Sequence, residues 1–383
     1  RISGALRASD TLARLGGDEF CVLLPDVVGT SEAITVAQRV VAALEDPFEI
    51  DGMTMAVEAS CGIAVAPEHG VSADLILQRA DVAMYVGKRS HASVVVYEDV
   101  LDVNTPDRLA LLGELRAAIV NNELGLHYQP KAVVATGVVT GVEALVRWQH
   151  PRLGFLTPDR FIPAAEDSGL IKPLTSWVLN TALQQLRQWM DEGVVPDDFS
   201  VAINLSARSL LDEGFRGEVE AALARWRLPA RRLVLEVTET TIMADPARAH
   251  LILRDLASVG VWFAIDDFGT GYSSLAALKL LPVHHLKIDK SFVLNMHEDT
   301  NDATIVRSVI DLAHTLGLHT IAEGVESVET WNQLRELGCD EAQGYVLAKG
   351  LPPEDVPAWL QETSEGAMRQ AELELHESAS PVR

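Results

Sequence analysis

A chain of 383 residues is longer than one hydrophobic core ordinarily serves and implies two domains. With 55 acidic against 31 basic residues, a formal charge of −24, its surface repels nucleic acid polymers, and a phosphate-bearing ligand would need cations to mediate contact. No apolar run approaches the roughly 18–20 residues of a membrane span, and three scattered cysteines without CxxC spacing point to a reduced, cytoplasmic protein with neither structural zinc nor disulfides.

Residues 1–100 read as one unit. Strand-like FCVLLP (20–25) is followed by a helix over EAITVAQRVVAAL (32–44) and a strand pair within MTMAVEASCGIAVA (53–66). A helix over DLILQRADVAMYVGKR (74–89) and the strand VVVYE (94–98) complete it. NTPDR (104–108) predicts a break and a helix start, with Thr105 as N-cap and Pro106 at the first helical position, so 101–122 serves as a linker helix. Residues 123–363 then alternate short apolar strands with longer helical segments. The strand candidates are LGLHYQ (124–129), VEALVRW (142–148), VAINLS (201–206), LVLEVTE (233–239), WFAIDD (262–267), HHLKID (284–289), HTIAE (319–323) and AQGYV (342–346). This order predicts an α/β protein built on a TIM-like (β/α)8 barrel. The first two strands are joined only around ATG (135–137), too little for a parallel crossover, so the first strand is expected to run antiparallel. Residues 364–383 read as a polar tail.

The predicted strands end in, or carry, polar groups: Gln129, Glu143, Asn204, Glu236, Asp266 with Asp267, Lys287, Glu323 and Gln343. One strand-end glutamate is more often a loop hydrogen-bonder than a ligand. A set drawn from every strand, at the end where barrels place their chemistry, is harder to assign to loops. Carboxylate and amide oxygens suit Mg²⁺ or Mn²⁺, and two such ions would offset the repulsion between the adjacent Asp266 and Asp267.

EALVRW (143–148), YQP (128–130), FIPAAEDSGLI (161–171), NLS (204–206), EVTE (236–239), DDFGTGYSSL (266–275), LKIDKSFV (286–293), AEGVE (322–326) and QGY (343–345) together resemble the EAL-domain cyclic-di-GMP phosphodiesterases. The resemblance covers about 240 residues in order. It implies hydrolysis of cyclic di-GMP to linear pGpG with two Mg²⁺ or Mn²⁺ ions, the alternative being a catalytically silent receptor that holds the dinucleotide and signals through dimerisation. By position, Glu143, Asn204, Glu236 and Asp266 are implied as ligands of one ion. Asp266, Asp267 and Glu323 are implied around the other, and Glu323 is alternatively a general base. Lys287 is implied to orient the attacking water or stabilise phosphoryl charge. Gln129, Leu145, Arg147, Asp289, Glu326 and Gln343 are implied in substrate binding or support. FGTGYSS (268–274), with Gly269, Gly271 and the tethering Glu239, is implied to couple ion binding to a homodimer.

ARLGGDEF (13–20) and ADVAMYVGK (80–88) resemble the GGDEF diguanylate cyclase domains, with Asp18 and Glu19 as the acidic pair and Arg7 and Asp10 as a relict RxxD allosteric site. That family's first strand and its metal-binding Asp lie upstream of the motif, beyond the first residue here. Residues 1–100 are therefore expected to form a partial α+β, palm-like domain without cyclase activity. A tether to a membrane would have to come from residues upstream.

Overall fold

The structure is a computed structural model describing residues 1–363, except 17–18, 28, 46–47, 51–52, 56, 58, 91–92, 99–105, 122 and 271–277. Asp18, Thr105, Gly271 and the 364–383 tail thus lie outside the described residues. The chain divides into two compact units, Arg1–Leu111 and Leu112–Arg383.

In the first unit, β1 (Thr11–Gly16) pairs antiparallel with β2 (Glu19–Leu23), and the two strands carry the described residues of the GGDEF motif, Gly16, Glu19 and Phe20. Helices Gly29–Glu45 and Ala73–Ser90 accompany β3 (Phe48–Ile50), β4 (Met53–Met55), β5 (Cys61–Ile63) and β6 (Val94–Val96). The expected strand pair within 53–66 does not form. β4 pairs antiparallel with β3, and β5 pairs parallel with β6. Only two residues of the sequence separate Ile50 from Met53, a spacing that favours pairing of β4 with the strand before it. The Arg7 guanidinium pairs with Glu32 at 3.0 Å, and the Arg7 backbone N–H donates to Asp10 at 2.8 Å.

The second unit is a closed barrel. β7 (Leu124–Val133) is antiparallel to β8 (Val139–His150), as the short connection requires. A short β9 (Gly154–Leu156), not anticipated, folds back on the end of β8. Five further strands run parallel: β10 (Ser200–Asn204), β11 (Leu233–Thr238), β12 (Trp262–Phe268), β13 (His285–Ile288) and β14 (His319–Ala322). β15 (Glu341–Gln343) joins β14 in parallel and β7 in antiparallel pairing, and a β8–β10 ladder closes the ring.

Strand alternation sorts the interior into layers. Ala202, Val234 and Ala264 pack together as a small-residue layer. Two residues further along each of those strands come Asn204, Glu236 and Asp266. Deeper in the barrel, Lys131 and Glu341 pair at 3.4 Å, which plugs that end with an ion pair in place of large aliphatic side chains. The polar residues at the strand ends therefore stand as a ring on a closed platform.

Candidate active site

Each side chain of the ring arrives on its own strand. β8 brings Glu143, Leu145 and Arg147 on one face, and the antiparallel register sets Gln129 of β7 directly opposite Glu143. Glu143 is buried and takes two neutral donors, Asn204 Nδ2 at 2.6 Å and Gln343 Nε2 at 2.7 Å. Gln343 also donates to Gln129 Oε1 at 3.0 Å, and Gln129 Nε2 donates to Ala348 O at 3.2 Å. These amides link β7, β8, β10 and β15.

Lys287 of β13 stands inside the ring and is almost wholly buried. Its Nζ lies 2.6 Å from Glu236, 2.6 Å from Glu323, 3.0 Å from Asp266 and 3.5 Å from Glu143. One ammonium thus faces four carboxylates, a net negative cluster that hard cations would neutralise. In this structure Lys287 holds the carboxylates together.

Asp266 and Asp267 are consecutive, and in a regular strand they would face opposite ways. The β12–β13 register shifts between Ile265 and Phe268, and Asp267 takes a left-handed backbone at φ 54°. Aspartate tolerates that conformation better than most residues, at a cost in strain. As a result Asp266, Asp267 and Glu323 offer oxygens all within 4.8 Å of one another, the spacing of a shared cation. An all-oxygen donor set near a buried negative cluster fits a hard divalent ion.

The protonation states follow from these neighbours. Burial pushes Glu143 upward, but Lys287 and the Gln343 and Asn204 donors outweigh it and hold the carboxyl below its ordinary range. Among the described residues Glu236 has no such neutral donors. Burial raises it well above the ordinary value, Lys287 opposes this, and Glu143 and Asp266 add to the rise. Burial likewise lifts Glu323 to about 8 against the pull of Lys287, with Asp266 and Glu143 contributing. Asp267 rises to about 6, through burial first and then the Asp266 and Asp289 carboxylates. Two or more groups therefore compete to stay neutral until cations arrive.

The supporting residues divide. Asp289 is buried and N-caps the short helix Lys290–Val293 through Ser291 N at 2.9 Å, with its carboxyl also against Asp267. Glu239, buried on the helix after β11, accepts the Gly269 N–H at 2.9 Å, and Gly269 sits at φ 102°, where a side chain would be strained. Leu145 and Arg147 are half-buried further up β8. Glu326 is exposed beyond the end of β14 and stands apart from the bonded ring. Sequence reasoning missed the close approach at Gly344, where a Cβ would lie 2.1 Å from Val325 O. The glycine after Gln343 was the available signal.

A closed barrel whose strand ends gather oxygen donors around a lysine defines a class of barrel site able to hold a divalent cation. The family description "EAL domain" matches residues 112–350, and the chain belongs to that family. Residues 1–93 match "Diguanylate cyclase, GGDEF domain". The bifunctional diguanylate cyclase/cyclic di-GMP phosphodiesterase MucR of Pseudomonas aeruginosa is 42% identical over 359 residues, covering 94% of this chain and 52% of that protein. The cyclic di-GMP phosphodiesterase PdeR of Escherichia coli is 35% identical, covering 94% of this chain and 54% of that protein. The chain thus spans about half the length of the curated relatives it matches. Among solved structures, the PaMucR phosphodiesterase in complex with c-di-GMP superposes with a TM-score of 0.62 at 44% identity, covering 64% of this chain and 99% of that one. The EAL domain of Mycobacterium smegmatis DcpA gives 0.55 at 38% identity, covering 63% and 98%. No helix among the described residues is long and apolar enough to cross a membrane.

Proposed function

We propose that this chain hydrolyses one phosphodiester bond of cyclic di-GMP, giving linear pGpG, at the mouth of the barrel. The observation that carries the reading is the convergence of Glu143, Glu236, Asp266 and Glu323 on Lys287, with Asp267 alongside. Related EAL proteins that act on or bind the cyclic dinucleotide support the substrate. Glu143, Asn204, Glu236 and Asp266 would hold one Mg²⁺ or Mn²⁺ ion, and Asp266, Asp267 and Glu323 a second. When bound, such ions supply Lewis acidity at the phosphate and acidify an attacking water.

The chain's own groups do the rest. Lys287 keeps the carboxylates gathered and offers N–H donors toward charge developing on the phosphoryl oxygens. Gln343 and Asn204 hold Glu143 ionised. Arg147 presents a guanidinium suited to the second phosphate or a guanine edge. Water oxygen bonds to phosphorus, the ring P–O bond breaks, and the departing oxygen takes a proton. The Glu239–Gly269 tether supports a role for the loop after β12 in coupling ion binding to pairing of two copies.

The test is incubation with cyclic di-GMP and Mg²⁺ or Mn²⁺, followed by chromatography. Appearance of pGpG, abolished by chelator and by Glu143→Ala, is expected. Intact dinucleotide despite tight binding would mean a receptor instead.

A further inference from the structure

β8 and β9 form a hairpin that overhangs the barrel rim, pairing Trp148 with Leu156, Gln149 with Phe155 and His150 with Gly154. Side chains alternate across it. The front, continuous with Glu143 and Leu145, carries Arg147 and Phe155; the back carries Trp148 and His150, both buried. Phe155 is exposed, with its ring 5.7 Å from that of His127.

Glu114, on the helix Pro106–Asn121, grips the back of this overhang. His150 Nδ1 accepts the backbone N–H groups of Arg152 and Leu153, each at 3.1 Å. That assigns its proton to Nε2, which donates to Glu114 Oε2 at 2.7 Å. Arg152 Nη2 donates to the other oxygen, Glu114 Oε1, at 2.8 Å. One carboxylate therefore ties both His150 and the turn after it to the connecting helix. The front is held less firmly. Arg147 faces Gly125 across the ladder, and its Nη1 donates to the neighbouring carbonyl, Val146 O, at 2.9 Å.

We propose that Glu114 is a positioning residue: through this fork the connecting helix sets the placement of Arg147 and Phe155, and with it the affinity for the cyclic dinucleotide, leaving the cation cluster untouched. The inference rests on the phosphodiesterase reading above. A displaced helix would loosen the grip on substrate without disarming the chemistry.

Titration calorimetry of Glu114→Gln against cyclic di-GMP in chelator tests this. Binding is expected to weaken five- to twentyfold, with a matching rise in KM while kcat and Mn²⁺ affinity stay within twofold. The sign is informative, because removing a negative charge near the mouth would by long-range attraction tighten an anionic ligand. Unchanged affinity with only a lower melting temperature would overturn the proposal. Should Glu114→Gln fail to fold, the exposed Arg152→Ala decides, measured at about 0.5 M salt to screen its lost charge: weaker binding supports the fork and unchanged binding refutes it. If the unaltered chain binds no cyclic di-GMP, the phosphodiesterase reading itself fails.

Discussion

The Lys287 ammonium lies 2.6 Å from Glu323 Oε1, joining β13 to the residue that follows β14. The same nitrogen touches Glu236 equally closely, so a single buried cation bridges groups from opposite parts of the ring. Lys287 thereby occupies the electrostatic role that added divalent ions would share.

Lys287→Met is therefore expected to destabilise the ion-free protein by about 3–5 kcal/mol, since buried carboxylates lose their partner. Mn²⁺ should recover more melting temperature in the variant than in the parent. Turnover should fall by roughly 10²–10³-fold even at saturating ion. Parent-like turnover in a thermally matched assay would exclude a catalytic contribution from the ammonium.

Ion binding should depend on pH with a defined sign. Glu323 at about 8 and Asp267 at about 6 are acids raised above their ordinary values, so the folded ion-free chain holds protons that the unfolded chain has lost. Stability of the ion-free protein then falls as pH rises from about 4 to about 8. Ions require both groups ionised, so their affinity climbs over that window with proton release. Calorimetry at pH 7 in buffers of different ionisation enthalpy should report net proton release on ion binding, drawn from Glu323 and the likewise raised Glu236. A pH-independent affinity would contradict the assignment.

Glu239→Ala removes the acceptor of the Gly269 N–H, two residues beyond the strained Asp267. Faster hydrogen exchange at Gly269 and about tenfold weaker binding of one ion, roughly 1.4 kcal/mol, are expected. Glu239→Gln keeps a carbonyl acceptor and should fall between. Sedimentation with and without Mn²⁺ checks the coupling to pairing; an ion-independent mass in the parent would argue against it.

Gly344→Ala would set a methyl carbon 2.1 Å from Val325 O and 2.3 Å from Val325 N. Backbone cannot step aside as a side chain can. A loss of about 3 kcal/mol or more is expected, lowering the melting temperature by roughly 6 °C or more. Because Gln343 is adjacent, cleavage should decline as well. An undisturbed midpoint would mean that the β14 and β15 exits separate more easily than their contact implies.

Much of the barrel was legible because each strand and helix announces itself locally. The reversed β7 could be read from the shortness of ATG, and the ring from polar residues recurring at strand ends. What stayed hidden depends on closure. Nothing near Lys287 in the chain foretells four carboxylates around it, since their strands lie up to 144 residues away (287 minus 143). The left-handed turn at Asp267 comes from a register shift against β13, and Arg7 finds Glu32 through folding of a separate helix. β9 is only three residues long, below what periodicity can reveal.

The inverted direction of β7 has a topological result. In a barrel of uniformly parallel strands the polypeptide enters from the floor, remote from the chemistry. Here Leu124 opens its strand opposite Trp148, level with the upper ends of the others. The first strand of the barrel therefore starts at the rim that carries the polar ring, so a tug on Leu124 acts there and not at the floor.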